Sequence, residues 1–224
     1  MIIFFYLHSF IDFQASTIGD AQLEHLVQAC QPATFGVQQE DVLDESYRRA
    51  WKMDPANFST NFNPYNTGVV QAIRDMLLRD PKSSNRVELH KLNVYGMQII
   101  FYFGSGIFPD CYLGPGSFFK THVDTPRSDK MFGSLVVVLP TRHEGGTFLL
   151  RHHGREWTFD SVDILSPQNS PQAAFVAFFG DVEHEVAVVK SGYRISLTYN
   201  LYSSFEDDKF SIVPSILPND DREV

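Results

Sequence analysis

A chain of 224 residues, 43% hydrophobic and 20% charged, is long enough to bury one substantial core and too apolar for a disordered or fibrous polymer. Its formal net charge of -9 gives a negative surface field that disfavours nucleic acid or an anionic membrane as a general partner, so a small molecule or a protein is expected. Two cysteines, Cys30 and Cys111, are too few for a disulfide framework or a cysteine-built zinc site, which fits a reducing, intracellular setting, the cytoplasm first.

In chain order, the opening MIIFFYLHSF reads as a core strand, because its apolar run lacks a basic lead and a small-residue cleavage site and is far shorter than a membrane span. Leu23, Leu26, Val27 and Cys30 recur at helical spacing; Val69, Ile73, Met76 and Leu77 repeat it after Asn66-Thr67, with Asp80-Pro81 as a stop. Between them DVLDESYRRAWKMD can form a third helix that buries Val42, Tyr47, Ala50 and Trp51. Residues 1–86 are therefore expected to be an N-terminal strand and helices that support something else. From residue 87 the period changes to two, in the runs VELHKLNVY, GSLVVVLP, GTFLLRHHGREWTFD, AAFVAFFGD, HEVAVVKSG and YRISLTYNLY, each bounded by turn residues. That spacing predicts a sandwich or barrel over 87–203. Residues 204–224 lose the alternation, carry acid and proline, and read as a tail.

MQIIFYFGSGIFPDCYLG, residues 97–114, breaks this rhythm, and its removal leaves the smooth run KLNVYGPGSFFKTHVD. The codons for Gly96-Met97 can spell G|GTATG and those for Leu113-Gly114 can spell TTAG|G, permitted splice boundaries in one phase. The segment reads as an insertion, either an intron translated as protein, the leading expectation, or a genuine hydrophobic loop.

The chemistry-bearing residues follow. His122 and Asp124, two positions apart in a strand, project to one face and suit a chelate. His184, on a later strand, is the candidate third ligand. Two imidazoles and a carboxylate make the facial triad of non-haem iron(II) enzymes, although zinc also accepts that set. Arg194 lies ten residues on, and alternation places it with Ser196, Thr198 and Asn200 on one face. A pocket-facing guanidinium pairs bidentately with a carboxylate, and the Ser196 hydroxyl can join it, so a dicarboxylate that chelates the metal at one end and meets Arg194 at the other is the expected ligand. His152-His153 before Gly154 read as a hairpin tip, His143-Glu144 as a loop, Gly145-Gly146 as a bend near the mouth of the barrel, and His25 and His90 as structural or exposed.

His122-x-Asp124, His184 and Arg194-x-Ser196 resemble the iron(II)/2-oxoglutarate-dependent dioxygenases. With 97–114 left out, VYGPGSFFKTHVDT, together with GGTFLLRHHG and VEHEVAVVKSGYR, is similar to the prolyl 4-hydroxylase-type catalytic domain, in a fungal-like branch, over about residues 87–203. CQPATFGVQQEDVLDESYRRA is similar to the lead segment of that branch. The resemblance implies a mostly β fold, a double-stranded β-helix or jelly roll with supporting N-terminal helices. It implies iron(II) on His122, Asp124 and His184, dioxygen, and 2-oxoglutarate on Arg194 with Ser196 and Tyr95. Tyr95 stands nine residues before His122, the family's spacing, only if 97–114 is discounted. The prolyl 4-hydroxylases usually carry lysine where this chain has Arg194, so a proline substrate does not follow. A hydroxylase of a protein side chain or small metabolite is the leading expectation. A catalytically silent jelly-roll module that binds metal or ligand, and a zinc hydrolase, are its rivals.

Overall fold

Alternating strands that are apolar on both faces need cover on both faces, and the chain supplies it with two packed antiparallel sheets and an outer layer. The computed structural model describes residues 1–5, 9–13, 15, 18–37, 40–78, 85–96, 98–99, 113–114, 116–165 and 172–203. Most of the expected insertion, the expected tail 204–224, the stop at Asp80-Pro81 and Cys111 lie outside the described residues.

The N-terminal third contains strands β1 (Ile2–Phe5) and β2 (Ser9–Asp12), helix α1 (Asp20–Ala29), strands β3 (Gln31–Pro32), β4 (Phe35–Val37), β5 (Glu40–Val42), β6 (Arg48–Arg49), β7 (Trp51–Met53) and β8 (Phe58–Thr60), and helix α2 (Val69–Ile73). The opening run forms a β1–β2 hairpin that buries Ile3, Phe5 and Ile11. In α1 the helical spacing of Leu23 and Leu26 buries both, and the Gln22 side chain accepts the Gly19 N–H at 3.2 Å to start the helix. Val69 and Ile73 are buried in α2, whose chain continues as a π-helical turn, Arg74–Leu78, with Met76 exposed.

The remaining strands are β9 (Asn85–Gly96), β10 (Gln98–Ile99), β11 (Leu113–Gly114), β12 (Phe118–His122), β13 (Met131–Val138), β14 (His143–Gly145), β15 (Phe148–His152), β16 (Arg155–Phe159), β17 (Ala174–Phe179), β18 (Glu183–Val186) and β19 (Val189–Ser203), with a short helix α3 (Ser161–Leu165) before β17. One sheet has the order β17-β13-β19-β9-β7-β3, the other β16-β15-β18-β12-β6. From β9 to β19 the long strands pass between the two sheets, and this crossing back and forth is the double-stranded β-helix.

Period-two alternation divides the cores. On β13 and β19, Leu135, Val137, Ile195 and Leu197 point outward beneath the N-terminal hairpin and helices, and Val136 and Val138 point inward, where Phe119, Phe148, Phe178 and Val186 fill the space between the sheets.

The third helix expected over DVLDESYRRAWKMD does not form. That segment is β5, a turn over 45–47 opened by Asp44 accepting the Ser46 N–H at 2.8 Å, then β6 and β7. Arg48 and Arg49 pair with Phe119 and Phe118 on β12, and Trp51–Met53 pairs with Val94, Asn93 and Leu92 on β9, so the segment adds a strand to each sheet in turn. Two waiting sheet edges outweigh a weak helical pattern.

Leu197 is fully buried in the outer core. Leu197→Ala is expected to lower unfolding free energy by about 2–5 kcal/mol in urea titrations, and a loss near zero would contradict this packing.

Candidate active site

The pairing of β12 with β18 sets His122 directly opposite His184, after a register shift between Phe119 and His122. β12 ends at His122, so Asp124 lies just beyond the strand rather than within it as expected; Ser134 on β13 holds it by donating its hydroxyl to Asp124 Oδ2 at 2.5 Å. The Asp124 Oδ1 is 3.6 Å from His184 Nε2 and 4.0 Å from His122 Nε2, and one potential ligand atom from each of the three residues falls within a 4.8 Å set. Each histidine Nδ1 faces a main-chain carbonyl, Lys120 O at 2.8 Å and Val182 O at 3.0 Å. A carbonyl can only accept, so Nδ1 carries a proton and Nε2 is the ring nitrogen that faces the centre, the atom a metal would take. Phe119 stacks on His122 at 3.5 Å between ring centroids, and Phe178 and Phe148 flank His184 at 4.6 and 5.5 Å. These contacts hold the rings.

Burial, reinforced by His184, pushes His122 down to about 3, so its imidazole is neutral at physiological pH. Burial acts against the Asp124 carboxylate, yet His184, the Ser134 hydroxyl and His122 together hold its pKa below the usual value. Two imidazoles and an ionised carboxylate are the donor set of an iron(II) site.

Arg194 lies on β19 opposite Tyr95 on β9 and is 1% exposed. Its Nε and Nη2 are buried without a hydrogen-bond partner, and its guanidinium carbon is 5.8 Å from the Tyr95 ring centroid and 6.0 Å from that of Phe148. Burial pushes it down to about 10, so it remains cationic at neutral pH. Ser196 is buried one pleat along, opposite Asn93. A cavity of about 470 Å³ is lined by the three candidate ligands together with Arg194, Ser196 and Tyr95. The pairing of β9 with β19 therefore brings Tyr95 to the cavity despite its 27-residue separation from His122 in sequence.

The neighbouring expectations divide. His153 and Gly154, with φ of 48° and 76°, form the expected hairpin tip, and His152 Nε2 lies 3.0 Å from Asp181. His143 belongs to strand β14, not to a loop: it is buried, donates from Nδ1 to Thr141 O at 2.9 Å, and meets Ser161 Oγ at 3.1 Å through Nε2. The expected bend at Gly145-Gly146 is present, both at φ of 71°, with a further use: a Cβ on Gly146 would lie 2.8 Å from Arg194 Cδ. Ser134 escaped the sequence reading because a lone serine inside an apolar strand carries no signal until its register is known.

Residues 108–202 match the family model of the 2OG-Fe(II) oxygenase superfamily, a stretch that contains His122, Asp124, His184 and Arg194. The chain carries a 2OG-Fe(II) oxygenase domain. The family uses iron(II), 2-oxoglutarate and dioxygen, and the His-Asp-His cluster of this oxygenase fits iron(II). Among solved structures, the oxygenase is similar to a Pseudomonas putida prolyl-4-hydroxylase at 17% identity, covering 82% of each chain with a TM-score of 0.45. It is also similar to a Burkholderia pseudomallei oxidoreductase of the 2OG-Fe(II) oxygenase family at 16% identity, covering 81% of this chain and 78% of that one with a TM-score of 0.41. A third is a Trichoplax adhaerens prolyl hydroxylase in complex with a hypoxia inducible factor peptide fragment, at 15% identity, 81% and 75% coverage and a TM-score of 0.47. No curated protein sequence matches the chain. Among the described residues no helix is long and apolar enough to cross a membrane.

Ser134→Ala removes the hydroxyl that orients Asp124 and leaves all three donors in place. Metal titration is expected to show roughly 10–100-fold weaker binding, and an unchanged affinity would mean that Asp124 needs no such support.

Proposed function

We propose that the oxygenase hydroxylates a C–H bond of a protein side chain or small metabolite, with His122, Asp124 and His184 as ligands to iron(II) and Arg194, helped by Ser196 and Tyr95, as the seat of the distal carboxylate of 2-oxoglutarate. The observation that carries this reading is the buried, unpartnered Arg194 guanidinium in the cavity that the three ligands line. An isolated buried cation is costly, and a carboxylate offers the planar acceptor pair that its fork requires.

When bound, iron(II) with 2-oxoglutarate and dioxygen supplies the oxidising power that replaces a substrate hydrogen by hydroxyl, with succinate and carbon dioxide as co-products. The residues of the chain do the rest. Nδ1 protonation keeps both Nε2 atoms available, Ser134 aims Asp124, and Phe119, Phe148 and Phe178 keep the imidazole rings fixed and water excluded from their faces. A zinc hydrolase would have no use for a dicarboxylate-binding arginine, and a silent binding module would bind metal and cosubstrate without releasing succinate.

We propose further that 87–203 is the oxygenase domain, that 1–86 supports it, that 204–224 is a tail, and that 97–114 is an insertion. Gly96 O accepts both the Ser117 N–H at 3.1 Å and the Ser117 hydroxyl at 2.8 Å, so the chain closes across the segment. Joined directly, Gly96-Pro115-Gly116-Ser117 would have proline second and glycine third, the preference of a type II turn, with its closing hydrogen bond already made.

Two outcomes follow. His184→Ala is expected to abolish metal binding, whereas Arg194→Ala keeps the metal, loses roughly a hundredfold or more in 2-oxoglutarate affinity and stops succinate release; equal cosubstrate affinity in wild type and Arg194→Ala would refute the assignment. A chain lacking 97–114 is expected to fold with an undiminished melting temperature and to bind metal and 2-oxoglutarate, and an insoluble or unfolded product would show that the segment is integral.

A further inference from the structure

Arg48 on β6, Lys91 on β9 and Arg127 in the loop after Asp124 also line the cavity, and none has a part in holding metal or cosubstrate. Lys52 on β7 joins them through the pairing of Lys52 with Asn93. Arg48 is 7% exposed; it donates to Thr34 O at 2.6 Å and Asn93 Oδ1 at 2.7 Å, and its Nε is buried without a partner. Both acceptors are neutral. Lys52 likewise donates to the Thr34 hydroxyl at 3.1 Å, and Lys91 Nζ has no hydrogen-bond or ion-pair partner among the described residues. The cluster repels itself: burial first, then Lys52, Arg48 and Arg127, push Lys91 down to about 8, and only Asp41 acts the other way.

Within the catalytic set the charges cancel, iron(II) against the two carboxylates of the cosubstrate and Asp124 against Arg194. Arg48, Lys91 and Arg127 are left facing Glu40 and Asp41; Arg127 and the two acids are exposed, where water screens them, while Arg48 is buried and Lys91 half-buried. The cavity therefore keeps an uncompensated positive charge inside a protein whose net charge is -9. Arg48 lies 4.3 Å from the Phe119 ring centroid, and that ring stacks on His122 at 3.5 Å, which places this charge beside the metal centre.

We propose that the prime substrate is anionic, carrying a carboxylate or phosphate that docks on Lys91 and Arg48 next to the metal. The proposal rests on the oxygenase reading of the triad and Arg194, and adds the substrate class to it. Lys91 supplies the free donors, and Arg48, fixed by Thr34 and Asn93 and lying 4.3 Å from the Phe119 ring centroid, supplies a stationary charge.

The test loads the full chain with manganese(II), a redox-stable stand-in for iron(II), and saturating 2-oxoglutarate, then titrates inorganic phosphate in one arm and acetate in the other. Relaxation of the phosphorus or methyl signal reports how close each anion comes to the metal. At least one anion is expected to bind saturably with metal-enhanced relaxation. Lys91→Met is expected to weaken it by about tenfold, Lys91→Arg to retain it, and 2-oxoglutarate affinity to stay within about twofold in both. The stronger arm tells a carboxylate substrate from a phosphorylated one. Absence of saturable binding in both arms, equal binding to Lys91→Met, or a parallel fall in 2-oxoglutarate affinity would overturn the proposal. Failure of the wild-type chain to take up manganese or 2-oxoglutarate appears before any anion is added and would overturn the oxygenase reading, and this proposal with it.

Discussion

A guanidinium sealed inside a β sandwich with two nitrogens unpartnered is the constraint from which the site is best understood. Removing a charge from water costs several kcal/mol unless a counter-charge and hydrogen bonds replace the lost solvent. Arg194 has no hydrogen-bond partner at Nε or Nη2 within the described protein and only the field of the Asp160 carboxylate to offset its burial; around it lie the rings of Tyr95 and Phe148, the backbone of Gly146 and a cavity. The fold leaves room for it, since Gly146 has no Cβ to strike the side chain and the left-handed pair Gly145-Gly146 turns the main chain aside. Such an arrangement leaves two donors open to a partner from outside, and a flat carboxylate is a partner whose shape fits.

The three candidate metal ligands obey a related constraint. His122 and His184 meet because β12 and β18 are neighbours in one sheet, and Asp124 joins them because Ser134 reaches across from the other sheet. The site thus straddles the gap between the sheets, and any slip of one strand by a residue would turn a ligand to the opposite face. Phe119 on β12 and Val186 on β18 are buried in the inner core and pack into that register, while the outer core of Leu135, Val137, Ile195 and Leu197 packs β13 and β19 against the N-terminal hairpin and helices. Residues 1–86 matter to the chemistry in a second way, because β6 and β7 carry Arg48 and Lys52 to the cavity side of the sheets.

What was legible in the sequence divides along physical lines. Strict alternation over Arg194 to Leu201 told the cavity face from the core face of β19, and the valines of GSLVVVLP announced a strand covered on both sides. The order His-x-Asp, His, Arg was visible as spacing alone. DVLDESYRRAWKMD misled, because its two-residue strands are too short to show a period and owe their form to edges supplied by β9 and β12. Ser134, Arg48 and Lys91 were silent for the same reason: a serine in an apolar run, or a cation in a charged one, acquires a role only when pairing places it beside a distant residue. Tyr95 was obscured by its 27-residue separation from His122 in sequence, and only the pairing of β9 with β19 brings it to the cavity.

The most direct measurement of the central claim is a crystal structure of the chain with manganese(II) and 2-oxoglutarate. The account predicts the distal carboxylate on Arg194, accepting from Nε and Nη2 at about 2.7–2.9 Å, with the keto acid end on the metal held by His122, Asp124 and His184. A distal carboxylate seated on Lys91 or Arg48, with Arg194 still unpartnered, would contradict it.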